Sequence, residues 1–433
     1  MARIRTIAVS MFLVLQALLD ASDASDASAD WPRWRGPAGD AHARDEGFAK
    51  NWSETAPKLA WMAEGLGAGY ASVSITGGRV FTMGNAGVES AIAIDASDGR
   101  VVWTSPIGDR KSEHGGYEGP RSTPALDGGF VYVVSSHGAI ACLKQDKGEK
   151  VWSREFSEWG GRMMSGWGYS ESPLVDGDHV LCTPGGADAM IVCLDKKTGK
   201  DVWRAKVPEF SRRGKDGAAY SSIAVSNAAG VKQYVQLIGR GVVGIHAKTG
   251  KFLWGYDKVA NTTANIPTPV VFGNFVFAST AYGTGSALLE IARSGGGVAV
   301  KERYFLPHST LQNKHGGMVF ADGYIYCGTG DGSGLPICID VARGKVAWGG
   351  DQRGPGRGEC AVIWVDGHIL YRFQDGVVAL VEASPKKYEV VGSFKPAYQR
   401  GNSWAHPVIA GGKLYLREQD KLMCYALESS GAE

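Results

Sequence analysis

Hydrophobic and polar positions alternate in short runs along most of this chain, and the runs return in the same order about every fifty residues. The clearest copy is residues 121–156, with the sequence RSTPALDGGFVYVVSSHGAIACLKQDKGEKVWSREF. Its apolar runs are short and are separated by Gly-containing turns, which is the pattern of strands rather than helices. The segment therefore predicts four consecutive antiparallel strands, the last of which carries Trp152.

The end of this unit recurs along the chain as an apolar strand, a polar turn with Gly, and a strand bearing Trp. The copies end at Trp103, Trp152, Trp203, Trp254 and Trp348, and degenerate copies lie at 303–305 and 388–394. One small four-stranded sheet cannot bury its own faces, so the copies must pack against each other. The repeat predicts a β-propeller in which the repeated Trp packs between blades.

The two ends of the repeat array complement each other. Trp61 lies in a strand of the fourth type with no three strands before it, whereas the last hairpin, residues 405–427, has no fourth strand after it. We therefore predict an all-β fold over residues 57–433. It is an eight-bladed β-propeller of four-stranded antiparallel blades, closed where the N-terminal strand joins the last C-terminal hairpin.

The N-terminus has the composition of an export signal. Arg3 and Arg5 precede an apolar run at residues 7–19, and Ala-Ser-Ala follows at 27–29. The run is too short to span a bilayer, so residues 1–29 predict a cleavable signal peptide, a mature protein without a membrane span, and a periplasmic or secreted location. Residues 30–56 lack strand periodicity, and we expect an extended segment over the rim of the propeller.

Charge and cysteine content narrow the possible partners and the chemistry. The chain has 46 basic and 44 acidic residues, a net charge of +2, which argues against a nucleic-acid partner. Cysteine is present seven times. Because an exported protein can hold disulfides, cross-strand Cys182–Cys193 and Cys327–Cys338 bonds stay open as alternatives to buried thiols.

Candidate binding residues follow from the propeller topology. Every connection from a fourth strand to the next first strand emerges on one face, the funnel face, so eight equivalent positions converge on the central channel. These positions hold Tyr70, Arg121, Tyr169, Tyr220, Asn265, His315, Glu359 and Trp404, and Arg162 and Trp167 in a neighbouring connection complete the set. Aromatic and hydrogen-bonding side chains suit a flat or sugar-like ligand. The alternative is that they fill a narrow channel and bind each other.

Two copies of the repeat, LDKKTGKDVW at 194–203 and HAKTGKFLW at 246–254, resemble the repeat of the pyrroloquinoline quinone (PQQ) enzymes. That repeat builds the eight-bladed quinoprotein alcohol dehydrogenases and also the assembly lipoprotein of the Bam complex, which has no quinone. WPRWRGP, GRMMSGWGYSESP, TANIPTP and LREQD further resemble PQQ-like propeller proteins of planctomycete-type bacteria. The resemblance supports the predicted fold. It does not choose between an enzyme and a scaffold, because one fold hosts both an oxidoreductase and a scaffold.

A quinone dehydrogenase requires an aromatic platform, basic partners for the tricarboxylate, calcium ligands and an Asp base. The candidates for the first three roles are Trp167, Trp404, Arg121, Arg162, Glu359 and Asn265, and none of the eight ring positions is Asp. The sequence therefore favours an exported module that binds a small molecule, a glycan-like ligand or an envelope protein through its funnel face. The alternatives are a dehydrogenase dependent on PQQ and calcium, and a scaffold in an envelope assembly complex.

Overall fold

The computed structural model describes residues 30–108, 113–427 and 429. Within these residues the chain forms eight four-stranded antiparallel sheets arranged as the blades of a propeller, which confirms the predicted fold class. The predicted signal peptide, residues 1–29, lies outside the described residues. No helix in the described part is long and apolar enough to cross a membrane.

The strands of the first four complete blades follow one another in sequence. Blade 1 consists of β2 (Ser74–Thr76), β3 (Arg79–Ala86), β4 (Val88–Asp95) and β5 (Val101–Pro106). A two-stranded ribbon of β6 (Glu113–His114) and β7 (Tyr117–Glu118) precedes blade 2, which consists of β8 (Ala125–Asp127), β9 (Phe130–Val134), β10 (Ala139–Lys144) and β11 (Lys150–Glu155). Blade 3 consists of β12 (Leu174–Asp176), β13 (His179–Cys182), β14 (Ile191–Asp195) and β15 (Asp201–Ala205). Blade 4 consists of β16 (Ala224–Ser226), β17 (Gln233–Ile238), β18 (Gly241–His246) and β19 (Phe252–Tyr256).

The remaining blades repeat the same order. Blade 5 consists of β20 (Val270–Phe272), β21 (Phe275–Thr280), β22 (Gly285–Ser294) and β23 (Gly297–Pro307). Blade 6 consists of β24 (Met318–Ala321), β25 (Tyr324–Thr329), β26 (Leu335–Asp340) and β27 (Lys345–Gly349). Blade 7 consists of β28 (Cys360–Val365), β29 (His368–Phe373), β30 (Val378–Glu382) and β31 (Val390–Phe394). Two short 3-10 helices, Phe156–Trp159 and Ala228–Gly230, lie outside the sheets.

Blade 8 is built from both ends of the chain. It contains β32 (Val408–Ala410), β33 (Lys413–Glu418) and β34 (Lys421–Ala426), and its outer strand is β1 (Lys58–Ala63). Trp61 pairs with Cys424 across the junction. The predicted closure is therefore correct, and it ties the first blade-forming strand to the last one.

The repeated Trp lies between neighbouring blades, as the repeat predicts. The indole nitrogen of Trp152 in blade 2 donates a hydrogen bond to the carbonyl oxygen of Lys196 in blade 3 at 3.0 Å. Hydrophobic clusters also join neighbouring sheets, with Phe81 of blade 1 and Val131 of blade 2 in one cluster. Every outer strand carries a one-residue register shift beside this Trp position. Such bulges also protect an exposed strand edge from pairing with other chains.

The N-terminal segment, residues 30–56, begins in the central channel, which was not predicted, and ends against the outer strand of blade 7 with Trp52 on Phe394. Trp31 forms a bridge with Ile75 in the inner strand of blade 1. Three residues later, the indole nitrogen of Trp34 donates to the hydroxyl of Thr268, just before the inner strand of blade 5, at 3.1 Å. Blades 1 and 5 lie on opposite sides of an eight-bladed ring, so the segment crosses the channel. The sequence missed this because the segment has no periodicity to show where it packs.

The cysteines are all free and buried. Cys182 pairs across the sheet with Val192, whereas Cys193 pairs with Leu181. Successive residues of a strand point to opposite faces, so the two thiols lie on different sides of the blade. Cys327 and Cys338 are offset by one position in the same way. Both disulfide alternatives are thereby excluded, and the thiols act as small core residues.

Candidate functional site

The funnel face contains a cavity of about 260 Å³, here called the funnel pocket. Six of the ten residues predicted from the sequence line it: Tyr70, Arg121, Trp167, Tyr220, His315 and Trp404. The rest of the lining consists of Trp34, Arg35, Tyr117, Ser170, Ser172, Ser222, Ala264, Ile266, Pro267, Thr268, Tyr282, Lys314, Gly317 and His406. Topology alone thus brought most of the candidate ring to one place.

Two of the predicted residues do not line the pocket because their side chains bind backbone carbonyl oxygens. The hydroxyl of Tyr169 donates to the carbonyl oxygen of Pro184 at 2.9 Å. The amide nitrogen of Asn265 donates to the carbonyl oxygens of Ile238 and Gly239, both at 3.1 Å. The carbonyl oxygens of Pro184 and Gly239 also accept from the backbone nitrogens of Arg162 and Lys215, so each side chain adds a second donor and is held against the backbone of its connection.

The two remaining charged candidates also lie elsewhere. Arg162 is exposed and forms an ion pair with Asp216 at 3.2 Å. Glu359 is buried and accepts a hydrogen bond from the backbone nitrogen of Gly332 at 2.5 Å. Burial raises the pKa of Glu359 to about 7. Neither residue is among those that line the funnel pocket.

An aromatic cluster around Trp404 forms one wall of the pocket. The ring centroids of Tyr70, Tyr117 and His315 lie 5.1, 4.9 and 4.8 Å from that of Trp404. The Trp404 indole nitrogen donates to the Gln374 side chain at 2.8 Å, which fixes the ring orientation. The three rings are tilted against the indole, with interplanar angles of 35, 59 and 57°, and together they give the pocket an aromatic wall.

A second aromatic pair lies on the connections that lead to blades 3 and 4. Trp167 and Tyr220 meet edge to face at 6.0 Å between ring centroids. The Tyr220 hydroxyl is 2.7 Å from the Ser165 hydroxyl, and the latter donates to the carbonyl oxygen of Thr263. The pocket therefore has rigid aromatic surface on two sets of connections.

The pocket is cationic. Arg35, Arg121 and Lys314 line it, and none of its lining residues in the described part of the chain is Asp or Glu. Lys314 is balanced by Asp331 at 2.9 Å. Burial lowers the pKa of Arg35 to about 10, which leaves the guanidinium charged at neutral pH. The pocket consequently favours ligands with negative charge or electron-rich oxygens.

Two histidines in the pocket add no charge near neutral pH. Burial, followed by the nearby charge of Lys314, lowers the pKa of His315 to about 3. Burial also lowers the pKa of His406 to about 4. The Nε2 atom of His406 donates to the carbonyl oxygen of His315 at 3.2 Å, since a carbonyl only accepts. The two imidazoles therefore act as neutral ring surface.

Three hydroxyl groups on adjacent blades line the pocket as a row. The Ser172 hydroxyl accepts from the backbone nitrogen of Thr123, and the Ser222 hydroxyl accepts from that of Ser172, each at 2.9 Å. The Thr268 hydroxyl accepts from Ser222 at 3.3 Å and from Trp34 at 3.1 Å. With both lone pairs of Thr268 occupied, its remaining capacity is as a donor.

The residues of the pocket do not fit a calcium-bound quinone. Aromatic platforms and basic residues are present, but calcium needs several carboxylate or amide oxygens. Asn265 and Glu359, the oxygen donors suggested by the sequence, do not line the pocket. No group of three or more His, Cys, Asp or Glu in the described residues could hold a metal ion. The pocket also lacks a carboxylate to act as the base for an alcohol proton.

Several lining residues escaped the sequence analysis. Trp34 and Arg35 come from the segment that crosses the channel, and Lys314 and Tyr282 come from connections between strands. The only signal for the first pair was the concentration of Trp and Arg in WPRWRGP. Periodicity assigns inner and outer strands, but it does not locate a non-repeating segment in the channel.

The eight four-stranded blades define a PQQ-like eight-bladed propeller. A family model, described as outer membrane protein assembly factor BamB, matches residues 89–350, and the chain belongs to this family. No curated protein sequence gave a significant match.

Solved structures with the same fold include both enzymes and an assembly factor. The quinohemoprotein alcohol dehydrogenases ADHIIG from Pseudomonas putida HK5 and that of Comamonas testosteroni align with TM-scores of 0.64 and 0.66. Each is 14% identical, covering 94% of this chain and 82% of the other. BamB from Moraxella catarrhalis aligns with a TM-score of 0.58 and 14% identity, covering 86% of this chain and 99% of that one. At these identities the likeness shows the fold alone.

Proposed function

We propose that this protein is a binding module that takes a small molecule into the funnel pocket and does not oxidise it with a calcium-bound quinone. The observation that carries the proposal is the composition of the pocket: aromatic walls, three basic residues and no lining carboxylate among the described residues. Such a site has the stacking surface and the polar groups of a ligand pocket. It lacks the carboxylates that a calcium-dependent alcohol oxidation would need.

The volume of the pocket suits a small ligand. Drug-sized ligands occupy pockets of roughly 300–1,000 Å³, and this cavity measures about 260 Å³. Trp34 and Arg35 come from the segment that crosses the channel, so they close the far end of the pocket. The ligand therefore enters from the funnel face and rests against a fixed floor.

The predicted export signal is the basis for the proposed location outside the cytoplasm. Residues 1–29 carry the charge and hydrophobic pattern of a cleavable signal, so we place the mature protein in the periplasm or outside the cell. There the ligand would be an extracytoplasmic small molecule. Fractionation of expressing cells, with an antibody against the propeller, tests this placement.

A scaffold in an envelope assembly complex is the second candidate, favoured by the family model that describes an assembly factor. Under that function an outer surface of the propeller binds a protein partner, and the funnel pocket has no part in the binding. Affinity purification from solubilised envelopes distinguishes the two. If the protein is a scaffold, the Trp404→Ala variant should still co-purify with the same envelope protein. If the protein binds a small molecule in the funnel pocket, the same variant should lose that binding.

The direct test is a screen of ring compounds by tryptophan fluorescence and calorimetry with the purified full chain. Arg121→Ala and Trp404→Ala should lose binding of any hit while keeping the melting temperature. Arg343→Ala is the matched control, because Arg343 is exposed and pairs only with Asp340 three residues away. Unfolding of both pocket variants would show that the ring is structural, and hits that bind all variants equally would contradict the pocket as the site.

A further inference from the structure

Arg35 is a buried cation that forms no direct ion pair in the described part of the chain, and its one acidic neighbour, Asp40, acts on it only through a longer-range attraction. Its side chain lies on the floor of the funnel pocket, and the residue is 5% exposed. Its Nε atom donates to the carbonyl oxygen of Gly39, and its Nη2 atom donates to those of Asp40 and Met318, at 3.2, 3.2 and 2.8 Å. The Nη1 atom has no hydrogen-bond partner among the described residues.

From this arrangement we infer that the ligand is an organic acid with a single ring, whose carboxylate is bound by Arg35 at the floor of the pocket. The inference rests on the proposed function and names the class of its ligand. A buried guanidinium without a carboxylate in direct contact is costly. A carboxylate from the ligand would supply both that direct contact and the missing acceptor for Nη1.

The hydroxyl row extends the anion site beyond Arg35. Trp34, the residue before Arg35, is held between the hydroxyl of Thr268 and the ring of His406, whose centroid lies 4.5 Å from the indole. Thr268 has donor capacity left, and Ser172 and Ser222 each retain a hydrogen to donate. Donors on three neighbouring blades thus surround the floor, and a carboxylate needs such donors for its several lone pairs.

The ring of the ligand follows from the walls and the volume. Trp404 with its aromatic neighbours provides a stacking surface above the floor, and a cavity of about 260 Å³ suits one ring with its acid group. Both an aromatic acid and a sugar acid have this chemistry: a flat or stackable ring with a carboxylate. The two sources differ in hydroxyl content, so a comparison of probes separates them.

The experiment compares acids with neutral partners of the same shape. The purified full chain is titrated with benzoate against benzamide and with glucuronate against glucose, by calorimetry and tryptophan fluorescence. We expect the acid of at least one pair to bind about tenfold or more tightly than its neutral partner, and the pair with the tighter acid identifies the ring. Arg35→Gln should remove this preference.

The outcomes separate this inference from the proposed function. If the neutral partners bind as tightly as the acids, the acid inference is wrong while the binding module stands. If inorganic phosphate binds as tightly as the acids, the ring is not recognised and the inference is wrong. If no ring compound binds at all, the proposed function fails with it. An unchanged preference for the acid in Arg35→Gln would contradict the assignment to Arg35. If Arg35→Gln does not fold, Arg35→Lys, which keeps the charge and loses the planar guanidinium, should weaken the preference, and an unchanged preference in that variant would contradict the assignment.

Discussion

Gly199 in blade 3 lies directly against the indole ring of Trp152 in blade 2. A Cβ atom added to Gly199 would lie 2.7 Å from the Cδ2 atom of the indole, which is closer than real Cβ atoms approach. The backbone of Gly199 has a φ of 68°, a conformation that favours glycine. The Thr-Gly-Lys motif therefore exists because the turn of one blade packs against the Trp of the preceding blade.

Gly199→Ala should destabilise the propeller strongly. The variant suffers the cost of a left-handed alanine and also a clash with Trp152, and we expect a loss of about 2–4 kcal/mol in the free energy of unfolding. Gly177→Ala is the matched control, because Gly177 has a φ of 61° and open space around the added atom. Denaturant unfolding of both variants measures the difference, and equal losses would mean that the Trp contact contributes nothing.

Trp52 lies against the outer strand of blade 7, where the repeated Trp is absent. The position paired with Leu380 in that strand is Gly392, and a Cβ atom there would clash with the carbonyl oxygen of Lys50 and lie 3.1 Å from the Cβ atom of Trp52. Trp52 is 3% exposed and packs edge to face on Phe394 at 5.6 Å between centroids. A residue outside the repeat thus completes its packing.

Trp52→Ala should therefore cost as much as truncating a Trp of the repeat, about 3–5 kcal/mol. Glu54→Ala, an exposed change in the same turn, should have little effect. Thermal and urea unfolding test both. A loss below about 1 kcal/mol for Trp52→Ala would show that the N-terminal segment is dispensable for blade 7.

The sequence predicted those parts of the fold that repeat and did not predict the parts that do not. The spacing of the Trp-bearing strands fixed the blade number, and the incomplete ends near Trp61 and residues 405–427 fixed the closure. The path of residues 30–56 was not predictable, because its contacts with Ile75, Thr268 and Gly392 are single and do not repeat. The position of Trp52 against blade 7 was not predictable for the same reason, because Trp52 belongs to this non-repeating segment.

The pH dependence of stability should include a contribution from Glu171. Burial raises the pKa of this carboxyl from 4.5 to about 8, although it accepts hydrogen bonds from Thr183. Between these two values the unfolded chain has released the proton while the folded protein keeps it. The unfolded state then binds fewer protons, so stability falls as pH rises through this window, by up to roughly 1.4 kcal/mol per pH unit.

Glu171→Gln should weaken this dependence, because an amide does not titrate. Urea unfolding at pH 5 and pH 8 gives the two free energies for each protein, and the wild type should lose more between them than the variant. Glu46→Gln, an exposed change, serves as control and should behave like the wild type. Identical losses in wild type and Glu171→Gln would contradict the raised pKa.

Glu418 connects the core of the propeller to the pocket. It forms an ion pair with Arg372 at 2.8 Å, with both side chains 1% exposed, and it accepts from the hydroxyl of Ser403 at 2.6 Å. Ser403 precedes Trp404, so the buried carboxylate positions the aromatic wall. The sequence analysis did not find this link, because neither partner lies on the predicted ring.

Glu418→Gln should destabilise the protein by about 3 kcal/mol, since it leaves Arg372 as an unpaired buried charge. It should also weaken binding of any ligand that contacts Trp404. Glu389→Gln is the control, because its ion pair with Lys387 is exposed and should contribute less than about 1 kcal/mol. Unfolding and ligand titration together test both effects, and an unchanged stability would contradict the role assigned to the pair.

The candidate site was predictable to the extent that topology determines which positions converge. Tyr70, Arg121 and Trp404 reach the pocket because their connections emerge on the funnel face. Asn265 and Tyr169 start from equivalent positions, yet their side chains bind backbone carbonyls nearby instead of lining the pocket. Side-chain direction in a connection depends on which backbone acceptors lie within reach, and a repeat does not encode that.

Titration of the purified protein with PQQ, with and without calcium, tests the central claim most directly. The absence of carboxylate and side-chain amide oxygens from the described lining of the funnel pocket predicts that calcium does not change the binding heat or the tryptophan fluorescence, and that alcohols do not reduce an added electron acceptor. Saturable binding that requires calcium, together with alcohol-dependent reduction, would contradict the binding-module account and establish a quinone dehydrogenase.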